Sequence, residues 1–464
     1  MIYKSLEKLM EDLKIHDGLH LSFHHHLRNG DKVLNLIMED LIAKNIKDLH
    51  LYPSGIFPVH TSMVNALKKG LIKSITTNYL NGPLSDALNQ YPMEGQLTMQ
   101  THGGRARAII EGDNQIDIAF IAVSSCDQAG NASGLYGKTA CGALGYAIED
   151  AIHAKRTVIV CDTLLDTVNN PQIEGQFVDD VLLIDSIGNA SGIVSGTLAI
   201  TKDPLGLKVA REAMRFLIAS QFIKNNVSYQ SGAGGISLAI TKMFNEYLES
   251  HHLKASFYTG GITRYHVDAL EKGLVQSLYD VQCFDMEAIR SLKENPDHHF
   301  MSASDYANPN NPDRKIKALD IVILGATEID LDFNVNVTTD SKGLIIGGSG
   351  GHSDTAEDAK LSIIVSPLLK GRMPLICKRV TTITTPGKHI DVLITERGIA
   401  INPMRKDLLE LFNDSALNIM PIETLMKKAH DLSGVPKPLK KSSQSLGIVE
   451  DRHGQTSDIL YRKE

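Results

Sequence analysis

The stretch "GLHLSFHHHLRNGDKVLNLIMEDLI", residues 18–42, carries the reading from which the fold is argued. A short apolar run, "LHLSF", reads as a buried strand. After a polar turn, "KVLNLIMEDLI" places apolar residues at helical spacing. The same hand-over recurs along the chain. Strand-length runs include "SITTNYL", "IDIAFIAV", "RTVIVCD", "VDDVLLID", "ASFYTGG", "ALDIVILGA", "PLICKRV" and "IDVLITERG". Helical segments include "TSMVNALKKG", "GLKVAREAMRFLIASQF", "ISLAITKMFNEYLES" and "MEAIRSLKENP". Short buried runs alternating with 3.6-period segments predict an α/β fold with mainly parallel sheets.

At 464 residues the chain exceeds one ordinary core, so two domains are expected. The helix "GLKVAREAMRFLIASQFIKN" reads as the bridge, and the Gly-rich "SYQSGAGG" restarts the pattern. The expected division is 1–224 and 225–464, with a C-terminal hairpin, "LGIVEDRHGQTSDILYR", turning at His453-Gly454 and assigned to the second half. "MIYKSLEKLMEDLKIHDG" reads as an amphipathic helix.

Hydrophobic content of 42%, charged content of 22% and a net charge of -7 describe a globular chain without the basic excess of a polyanion binder. Five scattered cysteines form neither a disulfide framework nor a CxxC metal site. With no apolar signal core and no run of 18 apolar residues, the expectation is a cytoplasmic protein, free of membrane and nucleic acid.

Glycine gathers where strands hand over to helices: Gly232, Gly234 and Gly235 in "QSGAGGISLAI", and Gly347, Gly348, Gly350 and Gly351 in "LIIGGSGGHSD". Such turns bring backbone N–H groups close to an anion or a developing oxyanion, and close packing explains each equally well. Neither is a Walker A loop, and "GAGG" lacks the dinucleotide spacing. His102 and Arg105 in "THGGRARAI" and Arg28 in "HHHLRNG" suit a carboxylate ligand. Arg107 and Arg264 read better as ordinary ion-pair formers. In "GATEIDLDFNVNVTTDSKG" alternation puts Glu328, Asp330 and Asp332 on one face and continues to Asn334 and Asn336, a pattern expected to line a cleft.

These blocks, in order, resemble the citrate lyase α-subunit family: "LSFHHHLRNGD", "THGGRARAI", "GKTACGALGYA", "GIVSGT", "SYQSGAGGISLA", "YTGGIT", "EIDLDFNVNVTTDSKGLIIGGSGGHSDTA" and "VTTITTPGKHIDVLITERGIAINP". The resemblance implies two domains of the CoA-transferase superfamily with the active site between them. It implies transfer of an acyl-carrier or CoA thiol from an acetyl thioester to citrate, giving a citryl thioester and acetate. It further implies no tightly bound cofactor or metal in this subunit. The substrates are acetyl-CoA or the phosphopantetheine-type group of the acyl carrier. The partners are the β and γ subunits, within a complex where this chain is a homo-oligomer.

Related transferases carry a catalytic glutamate where this chain has Gly260, next to Gly261. The resemblance therefore implies direct attack by a citrate carboxylate through a mixed anhydride. Glu328 is the alternative covalent nucleophile, in a free-standing CoA-transferase for another di- or tricarboxylate. The two glycines, with Glu328, are the expected catalytic positions. His24, His25, His26, Arg28, His102, Arg105, Asn334, Asn336 and His352 are the expected substrate-binding set. The glycines of the two turns are the expected thioester-binding set. If "GLHLSF" is a strand, His24 and His26 share a face and His25 takes the other, which argues against a three-histidine metal site and for one wall of an anion pocket.

Overall fold

The computed structural model describes all residues except 25, 195–197, 438–441 and 464. His25 and the end of "GIVSGT" therefore lie outside the described residues. Two large sheets dominate. In space the first runs Ile2–Tyr3, Asp180–Leu183, Arg156–Cys161, Ile118–Val123, His20–His24, Leu49–Pro53, Ile72–Thr77, Leu97–Met99, Ser445–Glu450 and Thr456–Tyr461. All neighbours are parallel except the last pair. The second runs His298–Phe300, Val275–Cys283, Ala255–Ile262, Ser228–Ser231, Ile321–Leu324, Leu361–Val365, Val392–Thr395 and Gly398–Ile401. It too is parallel up to its final hairpin.

Central strands such as Ile118–Val123 and Leu361–Val365 are buried along their whole length. That is the condition of a parallel sheet covered on both faces, and it is why they read as unbroken apolar runs.

The tail is grouped differently from the sequence expectation. The hairpin forms, but Gly447–Val449 pairs in parallel with Leu97–Met99 of the first sheet. Leu446, Val449 and Leu460 are buried there, so burial of apolar side chains fixes its place. The expected bridging helix, Pro204–Ala219, packs on the helix Gly235–Ser250 and on strands Leu361–Val365 and Val392–Thr395. It is part of the second half, whose start therefore precedes residue 204 rather than following 224.

The N-terminus also differs: Ile2–Tyr3 is an edge strand, and only Leu6–Asp12 is helical, capped by the Ser5 hydroxyl. "PLICKRV" forms no long strand: Pro374 ends the strand Met373–Pro374 of a two-stranded sheet, and Ile376–Cys377 joins another small sheet. Among the described residues no helix is long and apolar enough to cross a membrane.

The halves meet through the loop 347–351. Leu80 N–H donates to Gly347 O (3.2 Å), His102 N–H to Gly350 O (2.9 Å), and Thr101 pairs with Gly350. A Cβ on Gly348 would lie 2.2 Å from Asn78 O, so side chains are excluded by the opposing backbone.

Candidate active site

Between the halves lies a cavity of about 130 Å³ lined by His26, Arg28, Ser54, Gly55, Phe57, Tyr79, His102, Tyr146, Gln282, Phe284 and Gly350. Most of the wall comes from loops following the strands of the first sheet, the place where open parallel sheets form their binding crevices. Gln282, Phe284 and Gly350 close it from the second half.

The strand His20–His24 ends as the chain turns, so His24 and His26 point the same way and their rings stack at 6.1 Å. Their environments differ. His24 Nε2 lies 2.8 Å from Asp150 Oδ2, and Asp150 also receives both guanidinium N–H groups of Arg105 at 2.7 Å. All three side chains are buried. Arg105 donates further to the Tyr52 carbonyl at 2.9 Å. Burial lowers the His24 pKa despite the Asp150 carboxylate, so His24 is a neutral donor that braces Asp150. Asp150 itself is held well below the usual carboxylate range, where the neighbouring Arg105 charge overcomes burial.

His26 is buried, yet neither ring nitrogen has a hydrogen-bond partner among the described residues. His102 Nδ1 is likewise buried and unpartnered, and its ring stacks on Tyr146 at 4.2 Å. Burial pushes both imidazoles down to about 3, so at neutral pH each carries one N–H to donate and no charge. Arg28, at φ 53, holds its guanidinium 4.9 Å from the Phe284 ring centre and 5.6 Å from that of Phe57. Among the described residues its guanidinium makes a single hydrogen bond, a long one of 3.5 Å to Ile193 O. Among the described residues no carboxylate lies within ion-pair distance of Arg28. A cation lacking a counter-charge beside two unsatisfied imidazoles is a site for a carboxylate.

Several expected residues are elsewhere. Arg105 is committed to Asp150 and supports the wall from behind. His352 is closed off: its Nδ1 contacts Thr385 Oγ1 (2.8 Å) and its Nε2 contacts Gly325 O (2.9 Å). The acid-and-amide run is not one extended strand. Glu328–Asp330 reverses through Phe333, at φ 63, into Val335–Asn336, which pairs back antiparallel. Glu328 is buried and accepts from Asn336 Nδ2 (3.0 Å), Thr381 N (2.8 Å) and Thr381 Oγ1 (3.2 Å). Asp330 caps the turn, accepting from Asp332 N and Asn334 N at 3.0 and 2.9 Å and from Asn334 Nδ2 at 3.2 Å. Glu328, Asn334 and Asn336 therefore build a hairpin and do not line the cavity. Arg107 forms ion pairs with Glu111 and Asp113 as expected, whereas Arg264 packs over the Tyr265 ring.

Gly260, at φ 95, has its Cβ position filled by the Gln230 side-chain amide at 2.8 Å. Gln230 Nε2 donates to Tyr306 Oη (2.8 Å), and its buried Oε1 has no partner among the described residues. A Cβ on Gly261 would enter the Phe284 ring at 2.2 Å. The space beside Gly260 is thus held by a neutral amide rather than a carboxylate. Of the Gly347–Gly351 set only Gly350 reaches the cavity. At the other turn only Gly234 faces open space; a Cβ on Gly232 would make an ordinary contact with Ile323 O at 3.6 Å, and one on Gly235 would press on Ala199 O at 2.9 Å, so Gly235 is a packing glycine.

Tyr79, Tyr146, Asp150, Gln230 and Gln282 were not singled out by sequence reasoning. Tyr146 stands next to last in "GKTACGALGYA" and Asp150 follows it by four residues in the helix Ile148–His153, and that spacing was the available signal. Among the described residues no group of three or more His, Cys, Asp or Glu is placed to hold a metal ion.

Residues 1–463 match the family model described as citrate lyase, alpha subunit. The chain is 40% identical over 460 residues to the citrate lyase alpha chain of Klebsiella pneumoniae, spanning 99% of this chain and 91% of that one. It is 39% identical to the Escherichia coli (strain K12) citrate lyase alpha chain, over 99% and 90% of the two. A crystal structure of the alpha subunit of citrate lyase from Streptococcus mutans, in complex with citrate, superposes with a TM-score of 0.97 at 40% identity, covering 100% of this chain and 91% of that one. A malonate decarboxylase alpha subunit from Acinetobacter baumannii shares the fold, at TM-score 0.68 and 16% identity over 94% and 92%.

Proposed function

The chain belongs to the citrate lyase alpha-subunit family, the transferase component of that enzyme, and from this membership we propose that the cavity between its halves binds citrate and hosts the acyl exchange. One observation carries the assignment: buried His26, with both ring nitrogens unpartnered among the described residues, faces the same cavity as Arg28, a cation that no described carboxylate pairs.

Arg28 takes a citrate carboxylate, and its fork stays charged at neutral pH although burial lowers its pKa. Neutral His26 and His102 donate N–H bonds to other carboxylate or hydroxyl oxygens without adding charge. A second citrate carboxylate attacks the acetyl thioester carbonyl. The tetrahedral oxyanion collapses, expelling the thiolate and leaving an acetyl–citryl anhydride. The thiolate then attacks the citryl carbonyl, the anhydride C–O bond breaks, and acetate leaves. No proton is lost or gained over the cycle.

Holding both acyl groups in attack geometry supplies up to roughly 7–11 kcal/mol of the barrier reduction. A backbone or side-chain donor at the oxyanion adds on the order of 3 kcal/mol. Gly234 is the open position of the turn 232–235 and is suited to approach by the thioester, since no described atom stands in front of it. Direct attack is favoured by Gly260, where the Gln230 amide replaces a protein nucleophile. The chain works with the other citrate lyase subunits, and an acyl-carrier thioester on the γ subunit is the acetyl donor.

Labelled citrate incubated with acetyl-CoA and the protein should yield citryl-CoA and unlabelled acetate. Exchange with another acid but not with citrate would remove the substrate assignment. His26→Ala should raise the citrate KM about tenfold or more, the loss of a hydrogen bond to a charged group. Unchanged citrate kinetics would take His26 out of the site. Hydroxylamine trapping after acetyl-CoA addition should find no glutamyl adduct; an adduct would end the anhydride route.

A further inference from the structure

The C-terminal hairpin returns from the second half to the first sheet, and its turn lies between two helices that carry opposite walls of the cavity. One is His102–Glu111, whose first residue lines the cavity; the other is His352–Asp358, which follows Gly350. Their N-terminal ends are already tied: Thr101 pairs with Gly350, and Asp354 Oδ2 accepts from Gly103 N (2.9 Å). The turn ties the remainder. Arg452 is buried, and its guanidinium grips Asp358 with two bonds of 2.9 and 2.7 Å and Glu357 at 2.9 Å. Its main-chain carbonyl accepts from Arg107 Nε (3.2 Å) on the other helix. A Cβ on Gly104 would lie 3.0 Å from Arg452 Cα, so turn and helix are in direct contact. The Asp451 carboxylate stiffens the turn by accepting from His453 N and Gln455 N, both at 2.9 Å.

We infer that Arg452 is a positioning residue for the transfer reaction: its side chain holds one helix and its backbone the other, keeping the two aligned behind the direct His102–Gly350 contact at the cavity wall. Arg314 also forks Asp358 (2.6 and 3.0 Å), and Asn310 of the same loop donates to Glu111 of the first helix, so the turn and this loop brace the two helices side by side. A guanidinium is suited to this because its planar fork fixes direction as well as distance. Small misplacements of a binding wall cost rate steeply, about a hundredfold for 1 Å. The kinetic part of the inference rests on the citrate reading of the cavity; the clamp itself does not.

Two variants test it in the full chain, Arg452→Lys, which keeps the charge without the fork, and Arg452→Met. Arg452→Met should raise the citrate KM about tenfold, with the acetyl-CoA KM changed less than about twofold, and Arg452→Lys should fall between it and wild type. A merely structural defect would lower the fraction of active enzyme, hence kcat, and leave both KM values alone. Hydrogen exchange gives the second reading. Amides of 102–105 and 349–353 should exchange faster in either variant while Ile118–Val123 stays protected. Unchanged KM values together with unchanged exchange at those amides would overturn the inference, as would equal exchange gains in Ile118–Val123. If Arg452→Met does not fold, Arg452→Lys carries the test on the same criteria. Faster exchange in the variants of a protein whose wild type turns over no citrate would support the clamp and count against the functional reading.

Discussion

Two histidines two residues apart do opposite jobs because of what stands beside each ring. His24 meets Asp150 and becomes part of a buried Arg105–Asp150–His24 chain. His26 meets no partner among the described residues and is left to a ligand. Burying Arg105 and Asp150 is tolerable only because each satisfies the other. Asp150→Asn should therefore destabilise the protein by about 3–5 kcal/mol, the usual cost of stranding a buried charge, read as a lowered midpoint in urea. Of the two only His26 lines the cavity, and that the pair share a side was legible from strand alternation. Which of them binds and which supports was not, because Asp150 lies 126 residues downstream of His24 and only folding brings it there.

Strands and helices were largely legible from their periods, and the glycine-rich turns from composition. Their purposes were not, because a glycine required by a neighbouring backbone and one required by a ligand look alike in sequence. Gly348 and Gly234 separate the two cases. At Gly348 a methyl would lie 2.2 Å from the Asn78 carbonyl, and backbone cannot swing aside. Gly348→Ala should lower stability by about 1–3 kcal/mol, as overpacking does, and reduce turnover with it because the halves part at that seam. Gly234 has φ -74 and no atom within 4 Å of a Cβ. Gly234→Ala meets no clash and should cost only the glycine N-cap preference of the helix Gly235–Ser250, about 1 kcal/mol or less. If the thioester lies over that turn, its KM should rise; an unchanged KM would place the thioester elsewhere. The run from Glu328 to Asn336 misled because alternation cannot reveal a reversal, and Phe333 in the left-handed region makes one.

Across the whole molecule, buried titratable groups within the halves and at their junction set a pH optimum for stability. Burial lowers His26 and His102 to about 3 and His266 and His352 to about 4. The unfolded chain binds protons at these sites near pH 6.5, so stability falls as pH drops from there towards 4. Glu149 and Asp354 act in the opposite sense: burial raises both to about 7. The folded state then holds protons that the unfolded state has released, so their contribution is lost as pH rises from about 4 through 7. Glu149 joins the halves, accepting from Ser304 N (2.9 Å), while its Oε2 is buried without a partner among the described residues. Glu149→Gln removes the ionisation, so its stability relative to wild type should climb between pH 5 and 8, by up to about 3 kcal/mol. Parallel denaturation curves at both pH values measure this; a constant difference would show that Glu149 does not titrate in that range.

From its own periodicities the sequence determined an α/β chain of two parallel sheets, because buried strands and amphipathic helices write local patterns. It also determined family membership, because ordered blocks such as "THGGRARAI" and "IIGGSGGHSD" run the length of the chain. The tertiary structure alone decided which half owns the C-terminal hairpin, that Arg105 and Glu328 are framework, and that Gln230 fills the space beside Gly260. Each of those depends on contacts between residues far apart in the chain, where partner and distance, rather than residue type, determine what a polar group does.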